Sequence, residues 1–188
     1  MNTPLTILGI AGSLRKGSYN RMALQAAQGL VPDGARMDIF DLAPIPIFNQ
    51  DLEKTPPPAV VDFKARIRAA DAIVIATPEY NYSIPGMLKN AIDWASRPFG
   101  DNAWNDKPVA IMSAAGGLFG GARAHYALRQ TFVFLNMHPV NLPEVMISKA
   151  NERFDANGKL TDETSIKLIQ QLLEALVKWT RRLAAGAS

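Results

Sequence analysis

The chain has 188 residues, 48% hydrophobic and 20% charged, which suits one domain built on one sizeable core. It has no cysteine and two histidines, His125 and His138, which excludes a disulfide framework, a thiolate metal site and a cysteine nucleophile and disfavours a histidine-rich metal site. The net charge of +3 is spread over scattered lysines and arginines, with no arginine stripe interleaved with aromatics, so no nucleic-acid partner is expected.

Residues 1–20 carry no basic segment ahead of an apolar stretch. No apolar run approaches the roughly 18 residues of a membrane span, so a cytoplasmic location is expected. Leu5 to Ala11 reads as a buried strand bounded by Gly12-Ser13. Asn20 reads as an N-cap, followed by a helix from Arg21 to Leu30 with Ala23, Ala26, Ala27 and Leu30 on one face. Pro32-Asp33-Gly34 is a turn, and the alternation from Arg36 to Asp41 predicts a second strand. Residues 42–58 hold five prolines and predict a long loop packed through Ile45, Ile47 and Phe48. Ala59 to Ala69 reads as a helix with Val60, Phe63, Lys64 and Ile67 at helical spacing.

Ala72 to Ala76 predicts a third, buried strand, stopped by Thr77-Pro78. Pro85-Gly86 opens a helix to Ser96, proline being tolerated where the first helical N–H lacks a partner. Val109 to Ser113 predicts a fourth strand, Gly121 to Leu135 a helix, and Val140 to Ile147 the fifth strand with its approach. Thr161 to Leu183 reads as an amphipathic helix that buries Ile166, Ile169, Leu172, Leu173, Leu176 and Trp179. With no internal repeat and no linker, residues 1–188 read as a single domain. Alternating strands and helices predict an α/β fold, a parallel sheet with helices on both faces. Five strands fit the doubly wound order 2-1-3-4-5, whose ligand crevice lies at the carboxyl ends of strands 1 and 3.

Three loops follow strands at that end. Gly12-Ser13-Leu14-Arg15-Lys16-Gly17-Ser18-Tyr19-Asn20 leads into a helix N-terminus and offers the Ser13 and Ser18 hydroxyls, the Asn20 amide, the Arg15 guanidinium and free backbone N–H groups. A phosphate needs such donors in positive potential. The nucleotide-triphosphate loop is disfavoured because Ser18-Tyr19 stands where Lys-Ser/Thr is required, and a standard Rossmann loop because no G-x-G-x-x-G occurs. Thr77 to Gly86 is stiffened by Pro78 and Pro85 and holds aromatics and amides, which suits a flat heteroaromatic ligand. Ser113 to Gly121 holds four glycines, which allow either close backbone approach to a ligand or a simple turn. A phosphorylated planar cofactor fits all three.

Gly12-Ser13-Leu14-Arg15 with Ser18 and Asn20, Pro78-Glu79-Tyr80-Asn81 with Ser83-Ile84-Pro85, and Leu88 to Trp94 resemble the NADPH-dependent FMN reductase family, and within it the bacterial quinone and chromate reductases. The resemblance implies a flavodoxin-like fold and one non-covalent FMN per subunit. It implies that Ser13, Arg15, Ser18 and Asn20, with Tyr19 beside them, hold the phosphate. By the same resemblance Pro78, Glu79, Tyr80 and Asn81 line the isoalloxazine ring, Gly116 and Gly117 approach its pyrimidine edge, and Ser113 flanks it. NADPH or NADH is the implied electron donor. Quinones, free flavin, azo dyes and oxidised metal ions such as the oxyanion chromate are the implied acceptors, in a ping-pong scheme with no side chain as acid or base. A homodimer or homotetramer is implied, with Arg123, Tyr126 and Glu144 resembling residues that join subunits. The alternative is a flavodoxin-type electron carrier or a flavin sensor. Carriers of that kind are generally acidic, whereas this chain is basic.

Overall fold

The computed structural model describes residues 4–186. Its strands are β1 (Leu5–Ala11), β2 (Ala35–Phe40), β3 (Ala72–Ala76), β4 (Pro108–Ala114), β5 (His138–Pro139) and β6 (Val145–Ile147). Its helices are α1 (Tyr19–Gln28), α2 (Pro58–Ala69), α3 (Gly86–Ala95), α4 (Ala122–Leu135) and α5 (Glu163–Gly186). All strand pairs are parallel, in the order β2-β1-β3-β4-β5, with β6 also paired to β4. This is the doubly wound, flavodoxin-like order expected from the alternation of elements.

The sheet divides two cores by the period-2 alternation of its strands. Ile73, Ile75, Val109 and Ile111 face one side, where they meet α2, α3 and α4 through Phe63, Trp94 and Phe132. Ala72, Val74, Ala76, Ala110 and Met112 face the other, under α1 and α5. Alanines occupy much of this second face, so a large share of its bulk comes from the helices, chiefly Leu24 and the Ile169, Leu172, Leu173 and Leu176 stripe of α5. A Cβ at Gly9 would stand 3.1 Å from Leu24 Cδ1, so the glycine lets α1 approach.

Three local expectations need correction. The fifth strand is not continuous from Val140. His138–Pro139 pairs with Pro108–Val109, Val145–Ile147 pairs with Met112–Ala114, and the residues between them carry the cis Leu142-Pro143 bond. The N-cap of α1 is Ser18, whose Oγ accepts from the Arg21 N–H, and Asn20 lies inside the helix. In the 42–58 loop Ile45 is buried and Phe48 packs on Trp94, but Ile47 is exposed. That loop is held by polar bonds instead. The Trp94 indole and the Asn90 amide both donate to the Pro46 carbonyl, and Asn90 Oδ1 accepts from the Phe48 N–H. Lys64 sits in the apolar stripe of α2 as expected and is buried, with its ammonium on Asp101 and the Arg97 carbonyl. No helix among the described residues is long and apolar enough to cross a membrane.

Candidate functional site

A cleft of about 220 Å³ opens at the carboxyl ends of β1, β3 and β4, where the strand order reverses. Its walls are Ser13, Arg15, Ser18, Tyr19 and Asn20 after β1, Pro78, Glu79 and Tyr80 after β3, and Ala114, Ala115 and Gly116 at the end of β4. The residues nominated from the first two loops therefore meet in one place, except Asn81, which stands outside these walls.

The β1–α1 loop is folded on itself before any ligand enters. The Ser18 N–H donates to the Arg15 carbonyl at 3.1 Å, and Ser13 Oγ accepts from the Arg15 N–H at 3.4 Å. The first N–H groups of α1 have no intrahelical acceptors, and the helix dipole adds positive potential there. Among the described residues Arg15 makes no ion pair; its guanidinium lies 5.5 Å from the Tyr19 ring centroid. An unpaired cation beside two serine hydroxyls and a helix N-terminus is a donor set for an anion such as phosphate.

The Asn20 amide is engaged within the protein. Nδ2 donates to the Ala114 carbonyl at 2.8 Å and Oδ1 accepts from the Ala114 N–H at 2.9 Å. The side chain is buried and imitates a strand neighbour for the end of β4. It lines the cleft while fastening the first loop to the third.

The β3–α3 loop turns sharply. Tyr80 and Ser83 exchange both N–H···O bonds at 3.0 Å, and the two residues between them, Asn81 (φ 50°) and Tyr82 (φ 65°), are left-handed. This is the two-residue turn of a tight hairpin, built without glycine. Asn tolerates that region, whereas for a residue like Tyr the strain is of order 1–3 kcal/mol. The loop is tied to α4: Glu79 Oε2 accepts from the Arg123 N–H at 3.0 Å, and Oε1 meets Arg123 Nε at 2.5 Å.

The glycines of the third loop separate into two kinds. A Cβ at Gly117 would touch nothing within 4 Å, and one at Gly116 only Asn151 Oδ1 at 3.9 Å, so this stretch is open. Gly120 and Gly121 are packing glycines, with positive φ and virtual Cβ positions 2.8 Å from the Met146 backbone and 2.9 Å from Ser113 Cβ. Gly116 lines the cleft; Gly117 does not, and its carbonyl accepts from the Lys149 N–H. Ser113 is also off the walls: it is buried beneath Gly121, with its Oγ unpaired. Ala114 and Ala115 complete the cleft and were not nominated, because an alanine at a strand end carries no chemical signal.

The three residues resembling subunit-joining positions find partners within this chain. Arg123 holds Glu79, and the Tyr126 hydroxyl donates to Glu144 Oε1 at 2.8 Å, which raises the phenol above its ordinary range. His125 is fully buried on α4, neither ring nitrogen is bonded among the described residues, and burial pushes its imidazole down to about 4.

Residues 5–152 match the family model described as NADPH-dependent FMN reductase. A Pseudomonas aeruginosa protein named NAD(P)H-dependent FMN reductase is 56% identical over 184 residues, covering 97% of this chain and 99% of its own. A Solanum tuberosum protein named NAD(P)H:quinone oxidoreductase is 48% identical, covering 92% of this chain and 91% of its own. Among solved structures, the flavoenzyme NAD(P)H:(acceptor) oxidoreductase FerB of Paracoccus denitrificans superposes with a TM-score of 0.87 at 36% identity, covering 95% of this chain and 98% of that one.

Proposed function

Because this chain belongs to the NADPH-dependent FMN reductase family, we propose that it is an NAD(P)H-dependent oxidoreductase that holds FMN non-covalently in the cleft and reduces quinones. The observation that carries the reading is the cleft itself. It joins Arg15, which makes no ion pair among the described residues, two serine hydroxyls and a helix N-terminus to the chain at the end of β4, at the crevice of a doubly wound sheet. That donor set fits a phosphate monoester at one end and a planar ring beyond it.

Bound FMN would supply the two-electron carrier between donor and acceptor. The chain's own residues bind and orient. Arg15, Ser13 and Ser18 hold the phosphate, with Tyr19 and Asn20 closing that end. Pro78, Glu79, Tyr80 and Asn81 border the ring, and the backbone of Gly116 and Gly117 offers N–H donors to its polar edge, with Ser113 supporting that loop from beneath. No side chain is assigned as acid or base. Tyr80 in the cleft wall is exposed, as is Tyr82 in the adjoining turn, so aromatic side chains border the mouth. One open face shared by nicotinamide and acceptor gives a ping-pong scheme. It also admits flat or small acceptors: quinones first, then free flavin, azo dyes and chromate.

Residues 1–188 form one FMN-binding domain in this reading, working in the cytoplasm as a homodimer or homotetramer. The outer side of α4 supports the assembly, since Val133 is 84% and Phe134 73% exposed, with Leu142 exposed nearby in sequence. Apolar side chains so exposed on one helix are those a second copy would cover. Arg123, Tyr126 and Glu144 belong to the same region in this reading.

The test is a visible spectrum of the purified protein, recorded without oxygen before and after NADPH. A flavin spectrum that bleaches and recovers with a quinone supports the reading, as do parallel double-reciprocal lines. A flavin spectrum that neither NADPH nor NADH changes favours the electron-carrier alternative. Failure to take up FMN at all refutes both.

A further inference from the structure

The N-terminus of α4 lacks a cap of its own. It begins after Gly121, which has no side chain to offer the first free N–H groups. The missing acceptor comes from another loop: the Glu79 carboxylate accepts from the Arg123 N–H and meets the Arg123 Nε. Glu79 is nearly buried, its side chain 9% exposed, and it stands in the cleft wall. The same guanidinium lies 3.7 Å from the Tyr82 ring centroid and 5.2 Å from that of Phe119. Arg123 therefore grips the left-handed turn at two points, Glu79 just before it and Tyr82 within it. A strained turn persists only where its surroundings over-determine it, and Arg123 supplies such contacts from α4.

We propose that Arg123 is a positioning residue of the cofactor site, a clamp that holds the Tyr80–Ser83 turn in its strained form and neutralises the Glu79 carboxylate beside an anionic cofactor. The proposal rests on the FMN reading above. It differs from a role confined to joining subunits, because the clamp is complete within one chain. Two consequences follow. Without the guanidinium the turn relaxes, and the cleft wall formed by Glu79 and Tyr80 is lost as a prepared surface. An unpaired carboxylate then stands near the ring and opposes the arrival of electrons.

The test uses apoprotein and FMN-loaded protein of wild type, Arg123→Ala and Arg123→Lys. In apoprotein, Arg123→Ala speeds amide exchange at Tyr80–Ser83. Its FMN dissociation constant, read by quenching of flavin fluorescence, rises at least tenfold. The midpoint potential of bound FMN becomes more negative. Adding Glu79→Gln to Arg123→Ala restores the potential but not the affinity. Arg123→Lys falls between, since a lysine keeps the charge but loses the planar stack and the Nε donor. A wild type that binds no FMN refutes the FMN reading itself. A wild type that binds FMN alongside an Arg123→Ala with unchanged exchange, affinity and potential overturns the clamp alone. Should Arg123→Ala not fold, Arg123→Lys equal to wild type in all three measurements overturns it.

Discussion

Replacing Asn20 with alanine separates two accounts of the β1–α1 loop. If the Asn20 amide serves a phosphate, its loss weakens cofactor binding and leaves the empty protein as stable as before. The structure instead commits both amide atoms to the Ala114 backbone, at 2.8 and 2.9 Å, in a buried position. Alanine leaves a buried N–H and a buried carbonyl without these partners, each costing about 1–3 kcal/mol when nothing replaces the bond. Partial relaxation brings the total to roughly 2–4 kcal/mol, against a stability of about 5–15 kcal/mol for a typical domain. At this chain length that lowers the thermal midpoint by roughly 5–15 °C. The assay is thermal unfolding of the apoprotein, with FMN affinity measured in parallel. Asn20→Asp is the informative companion. It keeps an acceptor for the Ala114 N–H but turns an oxygen towards the Ala114 carbonyl, so its stability falls as pH rises and the carboxylate ionises. An apoprotein of Asn20→Ala that melts with the wild type would refute the structural assignment and return the amide to the phosphate.

The remaining predictions concern charge. Arg15→Gln removes the unpaired cation of the cleft and raises the FMN dissociation constant roughly 10- to 100-fold, the worth of one charge-assisted bond; the variant's affinity also depends less on salt, and an unchanged affinity would show that the phosphate lies elsewhere. His125 makes stability fall with acid. Its buried ring has a folded pKa of about 4 against an ordinary 6.5, so the unfolded chain takes up the proton first. Stability is therefore undiminished above pH 6.5 and falls by about 3 kcal/mol as pH drops to 4. The Asp101 and Asp162 carboxyls are held below the ordinary 3.8 by their bonds to Lys64 and Ser165, so their contributions are lost only at lower pH. Urea midpoints between pH 7 and 5 isolate the histidine, and His125→Phe should flatten the profile there; a variant with the wild-type slope would place the titrating group elsewhere.

The fold was legible where local pattern and long-range pairing ask for the same thing. Ala72 to Ala76 and Val109 to Met112 are apolar on both faces, and only a strand covered on both sides satisfies that. Legibility failed where a distant partner decided between two locally equal choices. Ser18 and Asn20 are both N-cap residues by type. The choice fell to Ser18 because Asn20 is drawn inward by Ala114, 94 positions away in the chain. Pro143 could have warned that Val140 to Ile147 would not run as one strand, since proline cannot donate to a ladder. Ile47 was expected to pack because it is apolar, but the Pro46 carbonyl was claimed first by Trp94 and Asn90, which fixes the backbone and leaves the Ile47 side chain outside.

The site divides along the same line. Donors and rigid loops carry their chemistry in their residue types, so Ser13, Arg15, Ser18, Pro78 and Tyr80 could be named before their geometry was known, and they share a cleft. What a polar side chain does with its bonds is not encoded in its type. The same amide that could meet a phosphate closes onto Ala114, and the same carboxylate that could meet a ring caps α4. The glycines make the point in reverse. Gly116 and Gly120 look alike in the sequence, yet a side chain at Gly116 would meet open space while one at Gly120 would collide with Met146. A loop of four glycines is thus half open and half a packing joint. That division arises because α4 must start close against β4, under Gly121, for Arg123 to reach the turn after β3.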